Sequence, residues 1–105
     1  MSKNREKNLG GIDLKDETKC LHAGYHPKNA EPRVMPIVQS TTYVYDSTEE
    51  VAAVFDDPMK SLIYSRFGNP TVMAVEDKIA ELEGGIGAMC TTSGQAAVLL
   101  SLLNI

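Results

Sequence analysis

Two short clusters have the residue types and spacing to hold an anion. The first is Thr91-Thr92-Ser93-Gly94-Gln95-Ala96-Ala97. A small-residue turn there leads straight into a helix. The first turn of a helix presents free N–H groups and the positive end of its dipole, and both suit a phosphate. Gly94 lets an anion approach the backbone with no side chain in the way. Ser93 can cap the helix or donate to the phosphate, and an ordinary helix cap accounts for these residues equally well. The second cluster is Tyr64-Ser65-Arg66-Phe67-Gly68-Asn69-Pro70-Thr71. Tyr64 and Arg66 are two apart, so an extended segment projects them to the same side. A guanidinium fork and a phenol aimed at one point suit a phosphate or a carboxylate. The plainer reading of the pair is an exposed arginine beside a half-buried tyrosine.

Few other residues offer chemistry. Cys20 and Cys90 lie far apart, match no metal spacing, and read as reduced thiols of a cytoplasmic protein. His22 and His26 have no partner pattern, and local structural roles suffice for them. There is no G-x-G-x-x-G and no G-x-x-x-x-G-K-[ST], so neither a dinucleotide fold nor a P-loop has support. The net charge of −4 gives no basic face for nucleic acid. No apolar run reaches the roughly 20 residues that span a bilayer, and the polar start MSKNREKNLGG has no secretory h-region.

The elements that must position the two clusters follow from pattern. Residues 1–12 are charged and non-periodic and read as a disordered leader. A short helix is expected over Leu14–Ala23, closed by Gly24. Residues 25–36 hold three prolines and should be irregular. Ile37–Tyr45 is β-branched and aromatic yet polar, and should run extended along a surface. Ser47-Thr48-Glu49-Glu50 is a capping box, with the Ser47 hydroxyl and the Glu50 carboxylate each satisfying the other's free N–H group. It opens a helix through Val51, Val54 and Phe55 that stops near Asp57-Pro58. Asn69-Pro70 starts another, with Asn69 as N-cap and Pro70 at the first helical position. Val72, Val75, Ile79 and Leu82 recur at helical spacing and predict one buried face, ended by Gly84-Gly85. Ile86–Thr92 reads as a short buried strand, and Gln95–Ile105 as a helix that is apolar all round.

That last helix has no polar face and must be covered on every side. One amphipathic helix and one strand are too little to cover it. Helix, strand, helix is the beginning of an α/β sheet whose other strands are missing. The expectation is therefore a fragment, or a chain that folds against something else.

The motifs also carry a resemblance. The order Y-S-R-x-x-N-P-T, then the L-E-G-G helix end, then S-G-Q-A-A resembles the Cys/Met-metabolism PLP-dependent enzymes, the trans-sulfuration family. Upstream, T-K-C-L-H-A-G, P-I-V-Q-S-T-T-Y and Y-D-S-T-E-E also fit, so the likeness covers roughly residues 16–105. E-P-R-V before the P-I-V-Q-S-T-T run, with S-G-Q-A-A-x-x-x-x-L-x-N-I, is most similar to the O-acetylhomoserine sulfhydrylase branch.

The resemblance implies an amino-terminal arm over 13–60 and, over 61–105, the start of the large PLP-binding domain of a type I (aspartate aminotransferase-like) α/β fold, incomplete. It implies pyridoxal 5′-phosphate as cofactor. Ser93, Gly94 and Gln95 would hold the phosphate of the chain's own subunit. Tyr64 and Arg66 would reach the phosphate in a neighbouring subunit, which makes the family a dimer or a tetramer of dimers with shared sites. The implied reaction is γ-replacement of O-acetylhomoserine with sulfide or a thiol, giving homocysteine or methionine. The alternatives are γ-elimination, as in methionine or cystathionine γ-lyase, and a non-catalytic piece that associates with a full-length relative. The family's Schiff-base lysine has no counterpart among Lys3, Lys7, Lys15, Lys19, Lys28, Lys60 and Lys78. None follows a buried strand with a Ser/Thr-rich lead-in, Lys60 falls in a loop, and Lys78 is expected on the exposed face of its helix. No catalytic residue and no metal ligand is assigned, and the chain alone is expected to be inactive.

Overall fold

The computed structural model describes residues 14–56 and 62–105. The leader expected over 1–12, the stop at Asp57-Pro58, and Lys3, Lys7 and Lys60 lie outside the described residues. The described elements are α1 (Asp16–His22), α2 (Thr48–Asp56), α3 (Pro70–Leu82) and α4 (Gly94–Leu103). The chain divides into two compact units. One is Tyr25–Val75, and the other joins the first 24 residues to Glu76–Ile105, so α3 contributes to both.

The unit Tyr25–Val75 is held mainly by polar contacts. Its proline-rich entry folds on itself. Tyr25 Oη donates to the Pro32 carbonyl (2.8 Å), and Glu31 N–H closes a turn on the Lys28 carbonyl (3.1 Å). Ala30 stands in that turn at φ 66°, a left-handed conformation that a Cβ disfavours. The stretch 37–45 forms no helix and no regular strand, and it bends at Thr41. It meets the second cluster through one antiparallel bridge, Thr42 with Tyr64, beside the Ser65 N–H to Thr41 carbonyl bond of 2.9 Å. Below it, Val38 N–H donates to Thr71 Oγ1 (2.9 Å), and Thr71 Oγ1 donates to the Pro36 carbonyl (2.8 Å).

The start of α2 is half the expected capping box. Glu50 N–H donates to Ser47 Oγ (3.2 Å), but the Glu50 carboxylate accepts from Asp46 N–H (3.2 Å) rather than from Ser47. The carboxylate has reached one residue further back along the entering chain, where another unpaired donor lies. Val54 is buried, whereas Phe55 stays exposed. The start of α3 is as expected. Asn69 Oδ1 accepts from the N–H groups of Thr71 (3.0 Å) and Val72 (3.4 Å), with Pro70 in the first turn.

In the other unit α1 is shorter than Leu14–Ala23, because Lys15 and Ala23 are both extended at its ends. Gly24 follows at φ 81°, the left-handed position expected of it. Lys78 does not stand free on an exposed face. Its Nζ donates to the Cys20 carbonyl (2.9 Å), one of the last α1 carbonyls that the helix leaves unpaired. A cation there also meets the negative end of the helix dipole.

Two expectations about packing fail. Val72, Val75 and Ile79 remain 42%, 47% and 46% exposed, so the apolar face of α3 is not buried by the described residues. Ile86–Thr92 forms no strand. A strand exists only by pairing, and no described strand lies beside it. Cys90 N–H instead donates to Glu76 Oε1 (2.7 Å). No sheet of the expected α/β architecture is present among the described residues. Its last helix, α4, begins at Gly94 and ends at Leu103, with Leu99, Leu102 and Leu103 exposed. Buried apolar side chains among the described residues are Ala23 and Val54.

Candidate functional site: two anion-ready clusters

Ser93 sits at φ −160° and ψ 157°, extended, immediately before α4. Its Oγ accepts from Ala96 N–H (3.1 Å), and its carbonyl accepts from Ala97 N–H (3.1 Å) and from Thr91 Oγ1 (2.8 Å). Capping and anion binding are therefore not alternatives. The cap uses a lone pair of the Ser93 hydroxyl and leaves its proton free to donate. Among the described residues no acceptor faces the N–H groups of Gly94 and Gln95, the first two donors of α4. A Cβ built on Gly94 would meet nothing within 4 Å. The glycine thus relieves no crowding in this chain, and its open face admits a group from outside. Two free amides, a free hydroxyl proton and an open glycine at a helix N-terminus form a donor set that fits a phosphate.

Tyr64 and Arg66 come together by a different route from the expected one. Residues 65–67 form a turn, closed by the N–H groups of Phe67 (2.9 Å) and Gly68 (3.1 Å) on the Tyr64 carbonyl. The extended alternation predicted for them is absent, because Ser65 directs its side chain and N–H back onto Ser40 and Thr41. The turn nevertheless brings the arginine over both rings. Its Cζ lies 5.6 Å from the Tyr64 centroid and 5.3 Å from that of Phe67. Such stacking holds a guanidinium by its faces and leaves its N–H edges for an acceptor. Among the described residues Arg66 has no ion pair, and the Tyr64 hydroxyl has no hydrogen-bond partner.

The two clusters belong to different units, Tyr64 and Arg66 to one and Ser93, Gly94 and Gln95 to the other. Sequence reasoning missed the supports of the second cluster. Asn69 was legible as a cap but not as a donor to Val38, and Ser65 had no assigned role at all. The available signal was that Ser65 and Asn69 are four apart and flank the arginine, both with short hydrogen-bonding side chains.

The span that holds both clusters matches known proteins. The family model described as Cys/Met metabolism PLP-dependent enzyme matches residues 17–105. O-acetyl-L-homoserine sulfhydrylase of Leptospira meyeri is 42% identical over 94 residues, which is 89% of this chain and 21% of that protein. O-acetyl-L-homoserine sulfhydrylase 1 of Thermus thermophilus is 43% identical over 93 residues, covering 88% of this chain and 22% of the relative. L-methionine gamma-lyase of Fusobacterium nucleatum subsp. polymorphum is 38% identical over 88 residues, covering 84% of this chain and 22% of the relative. The chain thus spans about a fifth of the length of these curated relatives.

Proposed function

Since this chain belongs to the Cys/Met metabolism PLP-dependent enzyme family, we propose that it supplies the phosphate grip of an enzyme that replaces the γ-substituent of O-acetyl-L-homoserine with sulfide, forming homocysteine. When bound, pyridoxal 5′-phosphate supplies the electron sink that lets a proton leave the α carbon and a substituent leave the γ carbon of an amino acid. This chain's own part is to bind and orient. The N–H groups of Gly94 and Gln95 and the Ser93 hydroxyl hold the phosphate of one site. Tyr64 and Arg66 hold a phosphate in a second copy, which makes the working form a dimer or a tetramer of dimers. Residues 13–60 act as the arm toward that copy, and 61–105 belong to the PLP-binding α/β domain, with 1–12 as a leader. No lysine of this chain is assigned the attachment of the cofactor. Cys20 and Cys90 are exposed and free among the described residues. Among the described residues no helix is long and apolar enough to cross a membrane.

One observation carries the reading: the open Gly94 face and free donors at the start of α4, in the S-G-Q-A-A run that lies within the family match. The sulfhydrylase relatives favour γ-replacement, and the gamma-lyase relative keeps γ-elimination as the second reading. The test is turnover by the longest form that the gene encodes, given pyridoxal 5′-phosphate, O-acetyl-L-homoserine and sulfide. Homocysteine is the expected product. A 2-oxo acid formed at the same rate with and without sulfide would select elimination. No product with any γ-substituted amino acid, in protein shown to bind the cofactor, would refute both.

A further inference from the structure

Asn69 is buried, and every hydrogen-bonding position of its amide is occupied. Oδ1 accepts from Thr71 and Val72 N–H, while Nδ2 donates to the Val38 carbonyl (3.0 Å) and to Ser65 Oγ (3.2 Å). A primary amide has two donors and room for two acceptor bonds, so the side chain is fully used. Turned over, it would aim its NH2 group at two helix N–H groups, so the network sets its orientation. Ser65 is used as completely. Its hydroxyl proton goes to the Ser40 carbonyl, and its lone pairs receive Asn69 Nδ2 and the Tyr43 hydroxyl (3.2 Å). With that proton committed, Tyr43 is the donor of its pair.

These two saturated side chains tie three pieces together: the first turn of α3, the stretch 38–43, and the turn that carries Arg66. Ser65 lies between Tyr64 and Arg66, whose own polar ends have no partner among the described residues. Capping alone does not require asparagine, because aspartate or serine serves equally well at an N-cap. The carboxamide is needed for the two donations outward, to Val38 and Ser65. We infer that Asn69 is a positioning residue, which aims the Tyr64–Arg66 pair at a phosphate by holding Ser65 against Val38 and the start of α3. The inference rests on the phosphate reading of that pair.

The test uses the full 105-residue chain and reads the ratio of dissociation constants for pyridoxal and pyridoxal 5′-phosphate. Asn69→Asp keeps the acceptors that cap α3 and removes both outward donations. Ser65→Ala cuts the same link without adding charge. Both variants are expected to lower the ratio about tenfold, the usual consequence of unmaking a buried hydrogen bond, with the circular-dichroism helix signal unchanged. Exchange of the Phe67 and Gly68 amides should quicken in both while that of Met73, inside α3, does not. A wild-type ratio and wild-type exchange in both variants would overturn the inference, as would an equal loss of affinity for the two ligands. Arg66→Ala separates the two layers. If wild-type chain shows no preference for the phosphorylated ligand, or Arg66→Ala leaves the ratio at its wild-type value, the phosphate reading of the Tyr64–Arg66 pair fails and takes the inference with it. If the preference depends on Arg66 but not on Asn69 or Ser65, the inference alone falls.

Discussion

The loop that carries Arg66 and the helix that carries Gly94 solve opposite problems. Around Arg66 almost every polar atom finds its partner within a few dozen residues of the same chain. Ser65, Asn69 and Thr71 bond to the carbonyls of Ser40, Val38 and Pro36 and so set a turn with little apolar burial. Around Gly94 the polar atoms of the site are left open while the helix behind them is apolar on every side, with Val98 and Leu99 at 55% and 57% exposed. The first region is built by hydrogen bonds that the chain can complete alone. The second has a formed first turn on a helix whose packing this chain does not supply. Geometry at one cluster is thus a local property, and at the other it depends on what covers α4.

Breaking the comparison starts with α4. Each exposed leucine adds about 1.5–3 kcal/mol of drive toward burial, so the chain in water should self-associate. Leu99→Glu with Leu103→Glu should return it to monomer in sedimentation velocity. A wild-type monomer with one sharp unfolding transition would remove the contrast. Next is Arg66→Ala, which removes charge-assisted bonds worth about 1.5–3 kcal/mol and should lower affinity for pyridoxal 5′-phosphate at least tenfold, read by titration calorimetry. Gly94→Ala sharpens the other side. Its Cβ meets no atom of this chain, so the denaturation midpoint should hold, while the same titration weakens several-fold because a methyl group now stands in the anion's path. A midpoint that falls would mean that Gly94 serves the fold instead. The smallest effect is at Ala30. Glycine tolerates φ 66° freely, so Ala30→Gly should raise stability by about 1 kcal/mol, measured by urea unfolding.

The sequence made the helix starts legible because caps are local chemistry. Asn69-Pro70 and Ser93-Gly94 each satisfy helix N–H groups within three residues, and no distant segment is needed to recognise them. Gly24 and Gly84 were legible as helix ends for the same reason, both at positive φ. What failed was non-local. The apolar repeat Val72, Val75, Ile79 signals a face that wants burial, but periodicity does not say that a partner is present. Ile86–Thr92 has strand-like composition, yet a strand is a property of a pair. The spacing of Tyr64 and Arg66 suits an extended segment, but Ser65 between them makes 65–67 a turn. Its two bonds to Ser40 and Thr41, some 25 residues away, decide the backbone there. At the candidate clusters the outcome is the same: Ser93, Gly94, Gln95, Tyr64 and Arg66 could be named from the motifs, while the bonds of Ser65 and Asn69 that hold the turn carrying Arg66 show only in three dimensions.

The central claim is that this chain holds a phosphate through the start of α4. The most direct measurement follows the backbone amide resonances of Gly94 and Gln95 in 15N-labelled chain, in the monomeric Leu99→Glu, Leu103→Glu background, during titration with pyridoxal 5′-phosphate and, separately, with pyridoxal. A saturable downfield shift of both amides with the phosphorylated compound alone, its midpoint moved several-fold to higher concentration in Gly94→Ala, is the predicted result. Amides that ignore the phosphate, or that respond equally to both compounds, would contradict it.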